Sequence, residues 1–251
     1  MVVSLSGGLG NQMFQYAFGR SLSIARHEEV LFNRDSYSTD KLRHYELDCF
    51  NLDIKFAYPS DPFYCERNLL YHDVPRAGSY KGYWQTEKYF NRDTILREFS
   101  VFRGTPNKAC EEMAFRIMST EACFIGVRRA DYLWPERIGY HGVLPIEYYH
   151  GALSQLPYPP GSFVQTFVFT DDIEWAMENF HGTIVNVNGP DEKHWDIWLM
   201  SLCKHAIIAN STFHWWGAYL GADMTGKVIA PRKWFAANIP NEIVPDRWIK
   251  V

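Results

Sequence analysis

Two adjacent arginines, Arg128 and Arg129, close an apolar run from Cys123 to Val127 and are followed at once by Asp131. The end of a buried strand is a costly place for two guanidinium groups unless something anionic meets at least one of them. Successive residues of an extended chain point to opposite sides. One arginine can therefore face a ligand while the other pairs with a carboxylate such as Asp131; two surface arginines are the plain alternative. A second constellation, Asn210-Ser211-Thr212, stands between the apolar run Ile207 to Ala209 and the aromatic stretch Phe213 to Leu220. Strand, polar turn and helix in that order offer hydroxyls and backbone N–H groups to an anion at a helix N-terminus, although Ser and Thr at such a position more commonly just cap the helix. A third, Gly7-Gly8-Leu9-Gly10-Asn11, is a tight glycine turn that fits neither the GxGxxG fingerprint nor a Walker loop. Glycines there serve either a sterically tight turn or a close approach to a phosphate. Each of the three could meet an anion, and each has the plainer reading beside it.

The elements that must position these groups are legible in part. Val2 to Leu5 reads as a first strand. Met13 to Ala25 carries Phe14, Ala17, Phe18, Leu22 and Ala25 at helical spacing, and Val30 to Phe32 reads as a second strand. Strand, turn, helix, strand implies a parallel α/β sheet, with ligands at the carboxyl ends of its strands. Residues 36–80, interrupted by Pro59, Pro62 and Pro75, show no period and read as irregular with room for short helices. Tyr80 to Gln85 reads as extended and Glu87 to Phe99 as a helix. Gly104 to Asn107 reads as a linker and Lys108 to Met118 as the helix after it. From residue 122 onward β–α alternation is regular, with strands at Cys123–Val127, Phe163–Phe169, Thr183–Val187, Ile207–Ala209 and Lys227–Ala230. The helices between them read as Ile146–Leu156, Ile173–Phe180 with Asp171-Asp172 as its cap, Glu192–His205, and the stretch after Thr212. The expected organisation is a lobe over residues 1–105 and a nucleotide-binding type of lobe over residues 106–251.

The totals exclude other classes. A chain of 251 residues has room for one large or two small domains. The net charge of -4 is scattered, with no basic run, which argues against nucleic acid as a partner. No stretch approaches the roughly 20 apolar residues of a membrane span, and the N-terminus lacks the basic region of a signal peptide. Five cysteines, odd in number and without metal spacing, read as free thiols in a reducing compartment. The expected location is the cytoplasm, with peripheral membrane association left open. Nine tryptophans in a chain that is 16% aromatic are in keeping with rings that line a sugar site.

Four stretches, in this order and spacing, resemble the α-1,2-fucosyltransferases, in particular the soluble bacterial-type members. They are Gly7-Gly8-Leu9-Gly10-Asn11-Gln12-Met13-Phe14-Gln15-Tyr16-Ala17, Val127-Arg128-Arg129-Ala130-Asp131-Tyr132, Phe169-Thr170-Asp171-Asp172-Ile173-Glu174-Trp175, and Cys203 through Gly217. Gly82-Tyr83-Trp84-Gln85 is similar to the family's short aromatic-Gln element. The resemblance implies transfer of L-fucose from GDP-fucose to a galactoside hydroxyl, with inversion and without a catalytic metal or other cofactor. It implies a GT-B-like α/β fold of two Rossmann-like lobes, with the donor held mainly by the C-terminal one and a galactose-terminated glycan as acceptor.

Carried over residue by residue, the resemblance assigns Arg128 to the β-phosphate and Arg128 with Asp131 to the catalytic centre. Gly8, Asn11, Arg129, Asp172, Asn210, Ser211 and Thr212 join the donor site. Asp196 matches a position that reads guanine, where a carboxylate suits the N1–H and N2–H₂ donors. Trp84, Gln85, Trp134 and His214 are the acceptor-side candidates, with a place in the core as the equal alternative for Trp84, Trp134 and His214. Two departures stand out: Gly126 occupies the place where the family usually has His, and Ala130 the place of a usual Gly. The general base is therefore open; Asp131, the lone His141, or a dissociative route in which the departing phosphate takes the proton all fit. The alternatives carried are another acceptor linkage or GDP-sugar on the same scaffold, and a non-catalytic glycan- or nucleotide-binding relative.

Overall fold

Val2, Val3 and Ser4 form strand β1, paired in parallel on one side with β2 (Leu31–Asn33) and on the other with β4 (Ser79–Lys81), which in turn pairs with β3 (Phe63–Cys65). The four-stranded order is β2-β1-β4-β3. The computed structural model describes residues 1–66, 73–158, 164–221, 223 and 226–251. The chain divides into two units, Met1–Thr105 and Pro106–Val251.

In the N-terminal unit, α1 (Leu9–Arg26) buries Phe14, Ala17, Phe18 and Leu22 of the expected stripe, with Met13 beside them, while Ala25, also expected on it, is exposed. The helix stops at His27, whose left-handed backbone (φ 54°) turns its own N–H onto the Ile24 carbonyl and the Glu28 N–H onto that of Ser23. Phe18 stacks on Trp84 at 3.8 Å and 7°, with Tyr80 and Tyr89 edge-on around the Phe18 ring. Burial of each such ring contributes roughly 2–3 kcal/mol. The helix expected from Glu87 starts later, as α2 (Arg92–Phe99). Thr86 first caps a separate single turn, Glu87–Tyr89, and the Asn91 side chain then accepts from the Thr94 N–H to cap α2. The stretch expected to be irregular holds short 3-10 turns at Asp35–Ser38 and Leu47–Cys49 as well as β3, a strand hidden beside Pro62.

The C-terminal unit opens with α3 (Lys108–Met118), capped by the Asn107 side chain, and continues into β5 (Ala122–Val127). Then follow α4 (Pro135–His141), α5 (Ile146–Leu153), β6 (Gln165–Thr170), α6 (Ile173–Asn179) and β7 (Thr183–Val185). After these come α7 (His194–Ser201), β8 (His205–Ile207), α8 (Thr212–Leu220), β9 (Val228–Ala230) and β10 (Ile249–Lys250). Of the strand read at Phe163–Phe169, Phe163 lies outside the described residues. The helix read as running to His205 ends at Ser201. His205 instead begins β8, where its Nδ1 accepts from the Lys227 N–H at 2.9 Å.

The sheet is parallel throughout, in the order β10-β9-β8-β5-β6-β7. Sheets of this kind are covered on both faces, and β5 is accordingly buried at every residue. The chain moves outward from β5 through β6 to β7, then crosses back to place β8 on the other flank of β5. The carboxyl ends of β5 and β8 therefore frame the point where strand order reverses, the usual place for a ligand in an open α/β sheet.

Candidate functional site

Arg128 is the first residue past the end of β5, and Ser211 is the residue before α8 on the neighbouring β8 connection. Ile125 pairs with Ile207, and the Ala209 N–H donates to the Gly126 carbonyl at 3.0 Å, so the two motifs leave the sheet side by side. On the other flank Val127 pairs with Thr170, which brings Asp171 and Asp172 to the same edge. Three stretches far apart in sequence thus meet at the strand-order reversal.

The two arginines do not divide as expected, one to a ligand and one to a carboxylate. Both are held by carboxylates. The Arg128 guanidinium donates to Asp131 and lies 2.8 Å from Asp171. Arg129 donates from Nε to Asp172 at 3.0 Å and lies over the Trp175 ring at 4.1 Å. A third cation, Arg137 on α4, donates to the second oxygen of Asp131. Asp171 also accepts from the Arg129 and Ala130 N–H groups at 2.8 and 3.3 Å, so it fixes the backbone of the motif as well as its first guanidinium. Three guanidiniums against three carboxylates make a cluster with no excess charge. A guanidinium has five N–H donors, and these carboxylates use only some of those of Arg128 and Arg129 while fixing where each group sits.

This cluster corrects two assignments. Asp131, buried with one oxygen on Arg128 and the other on Arg137, is an orienting group and not a base open to an acceptor hydroxyl. Asp172 uses one oxygen to cap α6 through the Trp175 N–H and the other to hold Arg129, so it positions an arginine and does not meet an anionic donor. Sequence reasoning missed Asp171 and Arg137. The first was visible as one of two adjacent acids after a strand; the second lies in a helix, α4, that no periodicity announced.

At α8 the capping alternative fails for the side chain: Ser211 makes no side-chain cap bond to its own helix. Its hydroxyl sits at a nine-residue helix N-terminus, a favourable position for an anion. Thr212 is the first residue of that helix. Asn210, expected to touch the donor, is instead a structural clamp: its amide donates to the carbonyls of His141, Gly142 and Trp234. His214, expected on the acceptor side, is buried, with its ring against Gly126. Its pKa is pushed down to about 3 by burial and by the Arg128 charge, so the ring is neutral. His141 stacks on Tyr132 at 4.3 Å, with its pKa lowered by burial.

Asp196 lies in the first turn of α7, where its carboxylate accepts from the Asn188 amide at 2.7 Å. Asn188 is held in turn by Asn107. Burial raises the Asp196 pKa to about 6. Trp134 is 43% exposed, with the Arg137 guanidinium 5.0 Å from its ring centre.

In the N-terminal unit Gly8 is the residue before α1, and its carbonyl accepts from the Asn11 and Gln12 N–H groups. Gly7 has φ 75°, and a Cβ there would stand 2.5 Å from the Asn11 amide, so both backbone and space require glycine. Gln85, expected beside an acceptor, donates to the Asn11 side chain at 2.8 Å. Trp84, expected to stack on a sugar, is fully buried in the aromatic core and is corrected to a packing residue.

Arginines held at the reversal point of a parallel sheet, beside a helix start that the Ser211 side chain does not cap, mark the candidate site of an open α/β protein. The comparisons name the family. The model of glycosyl transferase family 11 matches residues 71–250. The chain is 31% identical to the O-antigen biosynthesis glycosyltransferase WbnK of Escherichia coli, with all of both chains covered. It is also 31% identical to an alpha-1,2-colitosyltransferase of Escherichia coli, covering all of this chain and 98% of that one. Among solved structures it is similar in fold to NodZ fucosyltransferase from Bradyrhizobium, with a TM-score of 0.57 at 12% identity over 90% of this chain and 94% of that one. It is likewise similar to NodZ alpha-1,6-fucosyltransferase crystallised with GDP, with a TM-score of 0.59 at 14% identity over 92% and 94%. The chain belongs to glycosyl transferase family 11, and its fold is the GT-B-like α/β type.

Proposed function

We propose that the protein transfers L-fucose from GDP-fucose to a galactoside hydroxyl in α-1,2 linkage, with inversion and without a metal. The observation that carries this reading is the placement of Arg128, braced by Asp131 and Asp171, beside the Ser211–Thr212 start of α8. A departing nucleoside diphosphate gains charge as the sugar C–O bond breaks. Guanidinium donors and helix N–H groups fixed in advance stabilise that charge without reorganising. Asp196 supplies an acceptor for the two guanine donors. In this scheme the route is dissociative: the C–O bond breaks first, the acceptor hydroxyl attacks the opposite face of the fucosyl cation, and its proton passes through solvent to the departed diphosphate, since Asp131 is committed to two arginines.

The likeness to a relative named as a colitosyltransferase favours one second reading: the same transfer with another deoxyhexose on the nucleotide. Purified protein incubated with GDP-fucose, GDP-colitose or GDP-mannose and a panel of galactosides separates the two by the rate of GDP release. Turnover of GDP-fucose with linkage to the galactose 2-hydroxyl supports the first reading, and turnover of GDP-colitose alone supports the second. Donor binding without consumption of any sugar would leave only the non-catalytic alternative.

A further inference from the structure

His214 occupies a place that only glycine at position 126 allows. A Cβ built on Gly126 would stand 2.5 Å from His214 Cγ and 2.6 Å from Nδ1, closer than any real side chain approaches. The imidazole enters from the third residue of α8, two residues beyond the Ser211–Thr212 turn, and lies against β5 two residues before Arg128. The residue is 5% exposed, and its Nδ1 is enclosed with no hydrogen-bond partner. An orphaned buried lone pair is tolerated far more often than an orphaned buried N–H. The ring proton therefore belongs on Nε2, which is not among the enclosed, unpartnered atoms.

We propose that His214 is a binding residue of the diphosphate subsite: a neutral imidazole that donates from Nε2–H to the phosphate held by Arg128 and the start of α8, seated in the space left by Gly126. This rests on the nucleotide-sugar reading above. The missing histidine at 126 is then a change of chain position, with the imidazole supplied by α8. Burial and Arg128 keep the ring neutral, which suits it to donate a hydrogen bond and disqualifies it as a proton-accepting base near neutral pH. A neutral donor adds to the binding of an anion without repelling the adjacent guanidinium.

The test uses pairs of variants that separate the two ring nitrogens, since a Gln amide reaches the place of Nε2 and an Asn amide that of Nδ1. His214→Gln should bind GDP within about threefold of wild type by calorimetry. His214→Asn should bind on the order of ten- to a hundredfold more weakly, the loss expected for a hydrogen bond to a charged group. Gly126→Ala should weaken GDP by pushing the ring aside, and the double variant Gly126→His with His214→Ala should bind better than His214→Ala alone. Melting curves confirm that each variant is folded. Equal GDP affinity for His214→Gln and His214→Asn overturns the proposal while leaving the wild-type function intact. A wild-type protein that binds no GDP overturns the nucleotide-sugar reading and this inference with it.

Discussion

One oxygen of Asp131 accepts from Arg128 while the other accepts from Arg137, so a single buried carboxylate fixes a guanidinium at the end of β5 against one on α4. Asp131→Asn keeps the shape and removes the charge that both cations share. The change should lower stability by about 1–3 kcal/mol, the scale for a weakened hydrogen bond to a charged group. It should also slow transfer by loosening Arg128. Thermal unfolding and initial rates at saturating donor check it. Wild-type turnover in a folded Asp131→Asn protein would show that Arg128 needs no such brace.

Arg128→Ala should reduce turnover by about 10²–10³, the effect of removing one charge-stabilising donor from a preorganised site. Arg128→Lys should recover little of this. An ammonium is a point charge without the planar fork that holds Asp131 and Asp171 and still presents donors to a phosphate. Steady-state kinetics with both variants, read beside their melting temperatures, measure the difference.

Most of the sheet of the C-terminal unit was legible because apolar residues dominate its central strands and helices alternate with them, although β8 begins two residues before the strand read there and β10 was not read. The same property put Arg128, Asp171, Asp172 and Ser211 visibly at strand ends. What stayed hidden was partnership. No spacing rule says that Asp131 will lie between Arg128 and an Arg137 on a helix starting at Pro135, because that contact is set by how the chain leaves β5. Asn210 looks like a ligand group in a polar-aromatic motif, yet tertiary packing turns its amide onto three carbonyls, and no spacing announces that the His214 ring lies against Gly126. Trp84 reads by type as a sugar platform or a core ring, and the stacking of Phe18 from α1 decides for core. In the N-terminal unit β3 was lost among prolines, where strands of three residues leave no period to detect.

Asp196 gives the site a pH dependence. Burial raises its pKa to about 6, so the folded protein holds a proton there that the unfolded chain, with an ordinary carboxylate, has already lost. Its contribution to stability is therefore present below about pH 4 and declines as pH rises through about 6. Guanine N–H donors favour the ionised form, so binding of GDP should release a proton and weaken as pH falls. From pH 7.5 to pH 5 the part of the affinity due to Asp196 should drop by roughly tenfold. Asp196→Asn, measured by calorimetry over the same range, should remove that dependence and leave only the titration of the phosphate. An unchanged pH profile in Asp196→Asn would take guanine recognition away from this residue.

Transfer should persist in EDTA. The proposed site stabilises the departing diphosphate with Arg128 and the N–H groups at α8, and neither requires a divalent ion. Rates measured after exhaustive chelation should match those of untreated enzyme. Loss of activity on chelation and its return with Mn²⁺ would assign the leaving-group charge to a metal.

Trp84 and Trp134 should separate folding from acceptor binding. Trp84 is fully buried, stacked on Phe18 and edge-on to Tyr89, with its backbone at φ 56°. Trp84→Ala would open a cavity in the N-terminal unit and should cost about 3–5 kcal/mol. The measurable result is a large drop in melting temperature or loss of soluble protein. Trp134 is 43% exposed, next to the arginine that holds Asp131. Trp134→Ala should leave the melting temperature nearly unchanged and raise KM for the galactoside several-fold, because a flat ring offered to solvent is a surface on which a sugar face can pack. Acceptor KM that is insensitive to Trp134→Ala, in a protein whose donor KM is also unmoved, would place the sugar on a different part of the surface.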